Sequence, residues 1–179
     1  MARDSPTGVE HRPRFDALFD GHYAAVRAYV ARRSSTAGVV DDVLSETFLV
    51  AWRRIDSVPA DGLPWLLGVA RRVLANQRRA EARRGALVEL LASLLPRGPI
   101  AEPADEVFGE LGDAIAALSP REREALLLVA WEGLDPQRAA RVVGCAPAAF
   151  RARLYRARRA LVVQLDSTPD EARLTEEAR

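Results

Sequence analysis

The sequence predicts an all-α fold of two small helical domains joined by a flexible linker, and three observations carry that prediction. Apolar residues recur at the 3.6-residue helical period almost throughout. Alternating β-branched runs are scarce. A proline-bearing acidic stretch also separates two arginine-rich blocks. A chain of 179 residues has room for one ordinary domain or two small ones.

The elements follow in order. Residues 1–13 read as a flexible N-terminus, and "MARDSPTGVEHRPR" lacks the apolar core of a secretory signal. "FDALFDGHYAAVRAYVARR" sets Phe15, Leu18, Phe19, Tyr23, Val26 and Val30 on one stripe. After "SSTAG", "VVDDVLSETFLVAWRRI" does the same with Val40, Val43, Leu44, Thr47, Phe48, Ala51 and Ile55. "DSVPADGLP" breaks the helix, and "WLLGVARRVLANQRRAEARR" resumes it with a polar side that is almost all arginine. These helices make a first domain over 14–85. Residues 86–113 read as the linker, because "PRGPIAEPADE" holds three prolines and a glycine.

A second domain is expected over 114–165. In "LSPREREALLL", Ser119 is the N-cap, Pro120 the first helical residue and Glu122 the third, which is a capping box. Asp135 and Pro136 start another helix that Gly144 ends, and a third begins near Pro147. The last segment, 166–179, is an acidic tail.

Composition excludes several classes. All 26 basic residues are arginine, and they are segregated: 71–84 carries six against Glu81 alone, and 119–165 carries nine against four acids. Cys145 is the single cysteine, so no internal disulfide forms and a reducing, cytoplasmic setting fits. No run of 18 apolar residues exists to span a membrane. With only His11 and His22 beside Cys145, no zinc site assembles at ligand spacing. No nucleophile–base pair and no Gly-rich phosphate cradle is present, so neither an enzyme nor a cofactor is expected.

The helix 136–143, the turn Gly144-Cys145-Ala146 and the longer helix after it have the layout of a helix-turn-helix. Phe150, Leu154, Ala157 and Leu161 fall on one stripe, the face to be buried. The opposite side carries Arg151, Ala152, Tyr155, Arg156 and Arg159. Small residues at its start, Ala148, Ala149 and Ala152, allow close approach to base edges, where a bidentate arginine contact discriminates by ~1–3 kcal/mol. The competing reading is a solvated arginine face. Trp52, Trp65 and Trp131 are assigned to the core, with stacking against a base as the alternative for Trp65.

Taken together, the two modules resemble the sigma-70 family in its extracytoplasmic function (group 4) form. "VVDDVLSETFLVAWRRI" is similar to region 2.2, "LPWLLGVARRVLANQRRAEARR" to regions 2.3 and 2.4, and "LSPREREALLLVAWEGLDPQRAARVVGCAPAAFRARLYRARRAL" to regions 4.1 and 4.2. The resemblance implies a promoter-specificity subunit that binds core RNA polymerase through its β′ and β subunits and reads two promoter elements. It places Asp41, Asp42 and Glu46, with Arg53 beside them, on the face that docks on the β′ coiled coil. The minus-ten element falls to the loop with Asp56, Ser57, Val58, Asp61 and Leu63, and to a cationic path of Arg71, Arg72, Asn76, Arg78, Arg79 and Arg83. The minus-thirty-five element falls to Ala148, Ala149, Arg151, Ala152, Arg153, Tyr155, Arg156 and Arg159. An anti-sigma partner is a further implication. Two departures bear on the promoter sequence: Ala148-Ala149 stands where many relatives have Gly-Thr, and Arg72 where many have asparagine. The alternative function is a stand-alone helix-turn-helix regulator.

Overall fold

The computed structural model describes residues 8–34, 37–92 and 109–167, which form seven α-helices and one 3-10 turn, with no strand among the described residues. The chain divides into two compact units.

In the first unit α1 (Gly8–Ala31), α2 (Ala37–Arg53) and α3 (Gly62–Ala92) pack against one another in all three pairings. Their core is Val26, Tyr29, Val30, Val43, Leu44, Phe48, Leu66, Leu67, Ala70 and Val73. Tyr29 extends the predicted α1 stripe, three residues beyond Val26 and so on the same side of the helix. An aromatic file joins α1 to α2: the Phe19 and Phe48 centroids are 4.7 Å apart, and Phe15 meets Trp52 edge-on at 5.1 Å.

Arginines close the far end of α1. Arg33 Nη1 donates to the Tyr29 carbonyl (3.1 Å) while its guanidinium lies 3.7 Å over the Tyr29 ring. Arg78 Nη2, reaching across from α3, donates to the Arg33 carbonyl (2.6 Å). Cations at a helix C-terminus satisfy carbonyls that have no intrahelical partner and complement the helix dipole.

Inside this core Thr47 is fully buried, and its Oγ1 finds no hydrogen-bond partner among the described residues. A buried hydroxyl left unpaired costs about 1–3 kcal/mol of desolvation. Thr47→Val, which keeps the branched shape, is therefore expected to raise unfolding stability by about 1 kcal/mol, read from urea midpoints at unchanged slope.

The second unit contains α4 (Gly109–Ala117), α5 (Pro120–Ala130), α6 (Pro136–Val143) as far as Ala140, and α7 (Pro147–Ser167). Helix α7 lies against α5 and α4, burying Phe150, Leu154 and Ala157 with Ala125, Leu128 and Ala114. Arg123 ties α4 to α5 by donating from Nε to the Ile115 carbonyl (2.9 Å) and from Nη2 to the carbonyls of Leu118 (3.3 Å) and Ala116. Asp135 Oδ1 caps α6 by accepting from the backbone N–H of Gln137 (2.8 Å) and Arg138 (2.9 Å). Gly144 then takes φ +68°, and the Cys145 N–H donates to the Ala140 carbonyl (3.0 Å). That left-handed step, which glycine makes without a Cβ penalty, turns the chain sharply into α7.

Three boundaries differ from those expected. The N-terminus is helical from Gly8, although Pro13 removes one helical donor. The first turns of α1 are tied elsewhere: Arg14 Nη2 donates to the Val58 carbonyl (2.7 Å), and His11 Nε2 lies 3.2 Å from Asp56 Oδ2. Helix α3 runs through Gly85 to Ala92, since a single glycine costs only ~1 kcal/mol in a helix. Helix α4 begins at Gly109, and Leu111, Ala114, Ile115 and Leu118 give it an i, i+3, i+4, i+7 stripe that its glycines obscure. The middle of the expected linker, 93–108, the residues 1–7 and the tail from 168 lie outside the described residues.

Candidate nucleic-acid interface

The surface of α7 follows from its phase. With Phe150, Leu154 and Ala157 fixed inward, a step of about 100° per residue turns Ala148, Arg151, Ala152, Tyr155, Arg156 and Arg159 outward, and all six are exposed. Ala149 is exposed as well. Tyr155 is 66% exposed, an aromatic ring held in water between arginines. Such a face offers guanidinium forks to phosphates or guanine edges and small residues for close approach. Arg153 falls beside the Leu154 and Ala157 side of the helix and is half-buried. Arg158, outside the expected set, is exposed next to Arg151 in helical phase.

Behind this face stands the capping box of α5. Ser119 Oγ donates to Glu122 Oε2, the Glu122 N–H donates to Ser119 Oγ (3.4 Å), and Arg156 Nε donates to Glu122 Oε1 (3.3 Å). The Ser119 hydroxyl, and after it the Arg156 guanidinium, hold the Glu122 carboxyl below the usual carboxylate range. Its folded value is thus depressed relative to the unfolded chain. The linked stabilisation is present above the ordinary carboxylate range and is lost as pH falls through the lowered value. Denaturation across an acid pH series is expected to show that loss in the native protein and a smaller one in Glu122→Gln.

On the first unit, the loop before α3 opens with the 3-10 turn Ile55–Ser57. Asp56 and Ser57 are exposed, and Asp61 and Leu63 are half-buried. Val58 is 4% exposed, so its apolar side chain turns into the core and anchors the loop. The tie from Arg14 to the Val58 carbonyl fixes the same point from α1.

The arginines of α3 share the half of the helix opposite Val69, Ala70, Val73 and Leu74. Arg71, Arg72, Asn76, Arg78, Arg79 and Arg83 are all exposed. Their engagement differs. Arg72 Nε folds back onto the Gly68 carbonyl (3.0 Å), Arg79 donates to Asn76 Oδ1, and Arg78 caps α1. Trp65, at the start of this helix, is half-buried and not part of the closed core.

A third surface lies on α2. Asp41, Asp42, Glu46 and Arg53 are exposed on one side, opposite the buried Val43, Leu44, Thr47 and Ala51. Leu49 falls among them in helical phase and is 46% exposed, and Trp52 on the same side is 40% exposed. Trp52 is thus edge-packed on Phe15 and open to solvent, and Trp131 at the end of α5 is likewise exposed, contrary to a core placement. Leu49 could have been found from the sequence, since it breaks the α2 stripe.

Among the described residues no helix is long and apolar enough to cross a membrane, and no group of His, Cys, Asp and Glu is arranged to hold a metal.

Comparison with known proteins adds an independent line. The family "Sigma-70 region 2" matches residues 18–84 and "Sigma-70, region 4" matches 108–161. The chain is 32% identical over 151 residues to the ECF RNA polymerase sigma factor EcfG of Rhodopseudomonas palustris, covering 82% of this chain and 83% of that one. It is 28% identical over 170 residues to the ECF RNA polymerase sigma factor SigL of Mycobacterium tuberculosis, covering 92% and 96%. Among solved structures it resembles the sigma factor RpoE bound to the anti-sigma factor NepR from Bartonella quintana, with a TM-score of 0.61 and 26% identity over 86% of this chain and 98% of that one.

Proposed function

Because the chain belongs to the extracytoplasmic function group of the sigma-70 family and so directs transcription initiation, we propose how its three surfaces divide that work. It acts by binding, not by bond chemistry. Asp41, Asp42 and Glu46, with the exposed Leu49 and Trp52 among them, dock on the β′ subunit of core RNA polymerase in the cytoplasm. Charged groups around an exposed apolar centre are the usual make-up of a specific protein interface. The loop at Asp56, Ser57, Asp61 and Leu63 receives an unstacked base of the minus-ten element, and Arg71, Arg79 and Arg83 line the path of the strand. The α7 face of Arg151, Ala152, Tyr155, Arg156 and Arg159 enters the major groove at the minus-thirty-five element.

The observation that carries this reading is the outward arginine–tyrosine face of α7, backed by the buried Phe150, Leu154 and Ala157. A relative of this fold, the sigma factor RpoE, has been solved with the anti-sigma factor NepR, and an inhibitory partner covering the α2 or α7 face fits the same surfaces. The test is reconstitution with core polymerase and genomic promoter fragments. Specific transcripts are expected only with both components present. Asp42→Arg with Glu46→Arg is expected to abolish polymerase binding while leaving the helical content unchanged. A chain that binds duplex promoter equally well without polymerase would favour the stand-alone regulator.

A further inference from the structure

The capping box of α5 also reaches beyond its own helix. A glutamate three residues after the cap normally returns to the cap residue's backbone N–H. Here Glu122 also gives Oε2 to the Ser119 hydroxyl and Oε1 to Nε of Arg156, 34 residues further along the chain on α7. The carboxylate is sheltered, its side chain 21% exposed, while that of Arg156 is 60% exposed. One end of a solvent-facing guanidinium is therefore held from behind by a group that is itself fixed by a helix cap.

We propose that Glu122 is a positioning residue for promoter choice: by occupying Nε it commits Arg156 to its terminal Nη fork and fixes the plane in which that fork meets a base pair. An unrestrained arginine reaches phosphates and several base edges by rotating four side-chain bonds, whereas a fork held in one plane matches the O6 and N7 acceptors of guanine. Glu122 also places a negative charge beside the DNA face. It therefore lowers general attraction to phosphate while sharpening the response to sequence, two effects of opposite sign. This inference rests on the reading that α7 contacts the promoter.

The experiment uses the full chain with core polymerase on templates carrying single-base changes across the minus-thirty-five element. Glu122→Gln keeps a capping-box side chain and removes the charge; Glu122→Asp keeps the charge but shortens the reach. Both are expected to lower discrimination at one or two adjacent positions by on the order of fivefold. Affinity of Glu122→Gln for unrelated duplex is expected to stay level or rise. A parallel fall in specific and unrelated binding would overturn the proposal, because it is the result of a purely structural role. The same substitution in an Arg156→Ala background is expected to change discrimination no further. An equal loss in both backgrounds would show that Glu122 does not act through Arg156. If Arg156→Ala alone leaves discrimination intact while the chain still initiates, the placement of α7 on the promoter fails, and the proposal with it.

Discussion

Replacing Arg151 and Arg156 together by alanine is expected to reduce initiation from cognate promoters by roughly 30-fold or more. Each arginine that reads a base edge bidentately contributes ~1–3 kcal/mol of discrimination, and every 1.4 kcal/mol is a tenfold change. The two flank the exposed face of α7, with Tyr155 between them. Binding of each variant measured at several salt concentrations separates the modes of contact. Loss of a phosphate contact weakens all sequences alike and lowers the salt slope by about one, whereas loss of a base contact acts at one position of the element. Helical content and melting temperature are expected to stay near those of the native protein, because both side chains are exposed. A double variant that initiates at the native rate would remove α7 from promoter recognition.

The second large effect is on stability. Phe150 is fully buried where α7 meets the rest of its unit, and Phe150→Ala is expected to cost ~3–5 kcal/mol through lost burial and the cavity left behind. Leu161→Ala, at a half-buried position on the same stripe, is expected to cost clearly less. Trp131 is a reporter for the unit. With Trp52 and Trp65 changed to phenylalanine, denaturant unfolding followed by its fluorescence isolates this half of the chain. Equal costs at Phe150 and Leu161 would contradict the packing described for α7.

Much of this was legible in the sequence because the relevant signals are local. The Ser119 and Asp135 caps, the turn at Gly144 and the inward stripe of α7 depend on neighbours three or four residues away. The misreadings came from residues whose local meaning was overridden by distant contacts. Pro13 and the charged residues around it read as a loose end until Arg14 and His11 find the loop at Val58 and Asp56. Residues 86–113 read as one linker, yet α3 runs on to Ala92 and α4 begins at Gly109. Val58 and Arg153 were named from the family resemblance, and their degree of burial is set by the turn of the backbone, which a resemblance does not give. Trp52 and Trp131 were taken inward on hydrophobicity alone, a one-way rule, since folded proteins also expose large apolar side chains. The role of Glu122 beyond its own helix could not be read from spacing, since Arg156 is far along the chain.

The bond from Arg14 to the Val58 carbonyl has a practical side. Helix α1, through Arg14, braces the loop proposed to catch a displaced base, so on that reading strand capture depends on how the first turns of α1 are held. On that reading, a purification handle that unwinds the first turns of α1 is expected to blunt DNA melting without altering any residue assigned to DNA. Handles placed beyond α7 are expected to leave that brace alone.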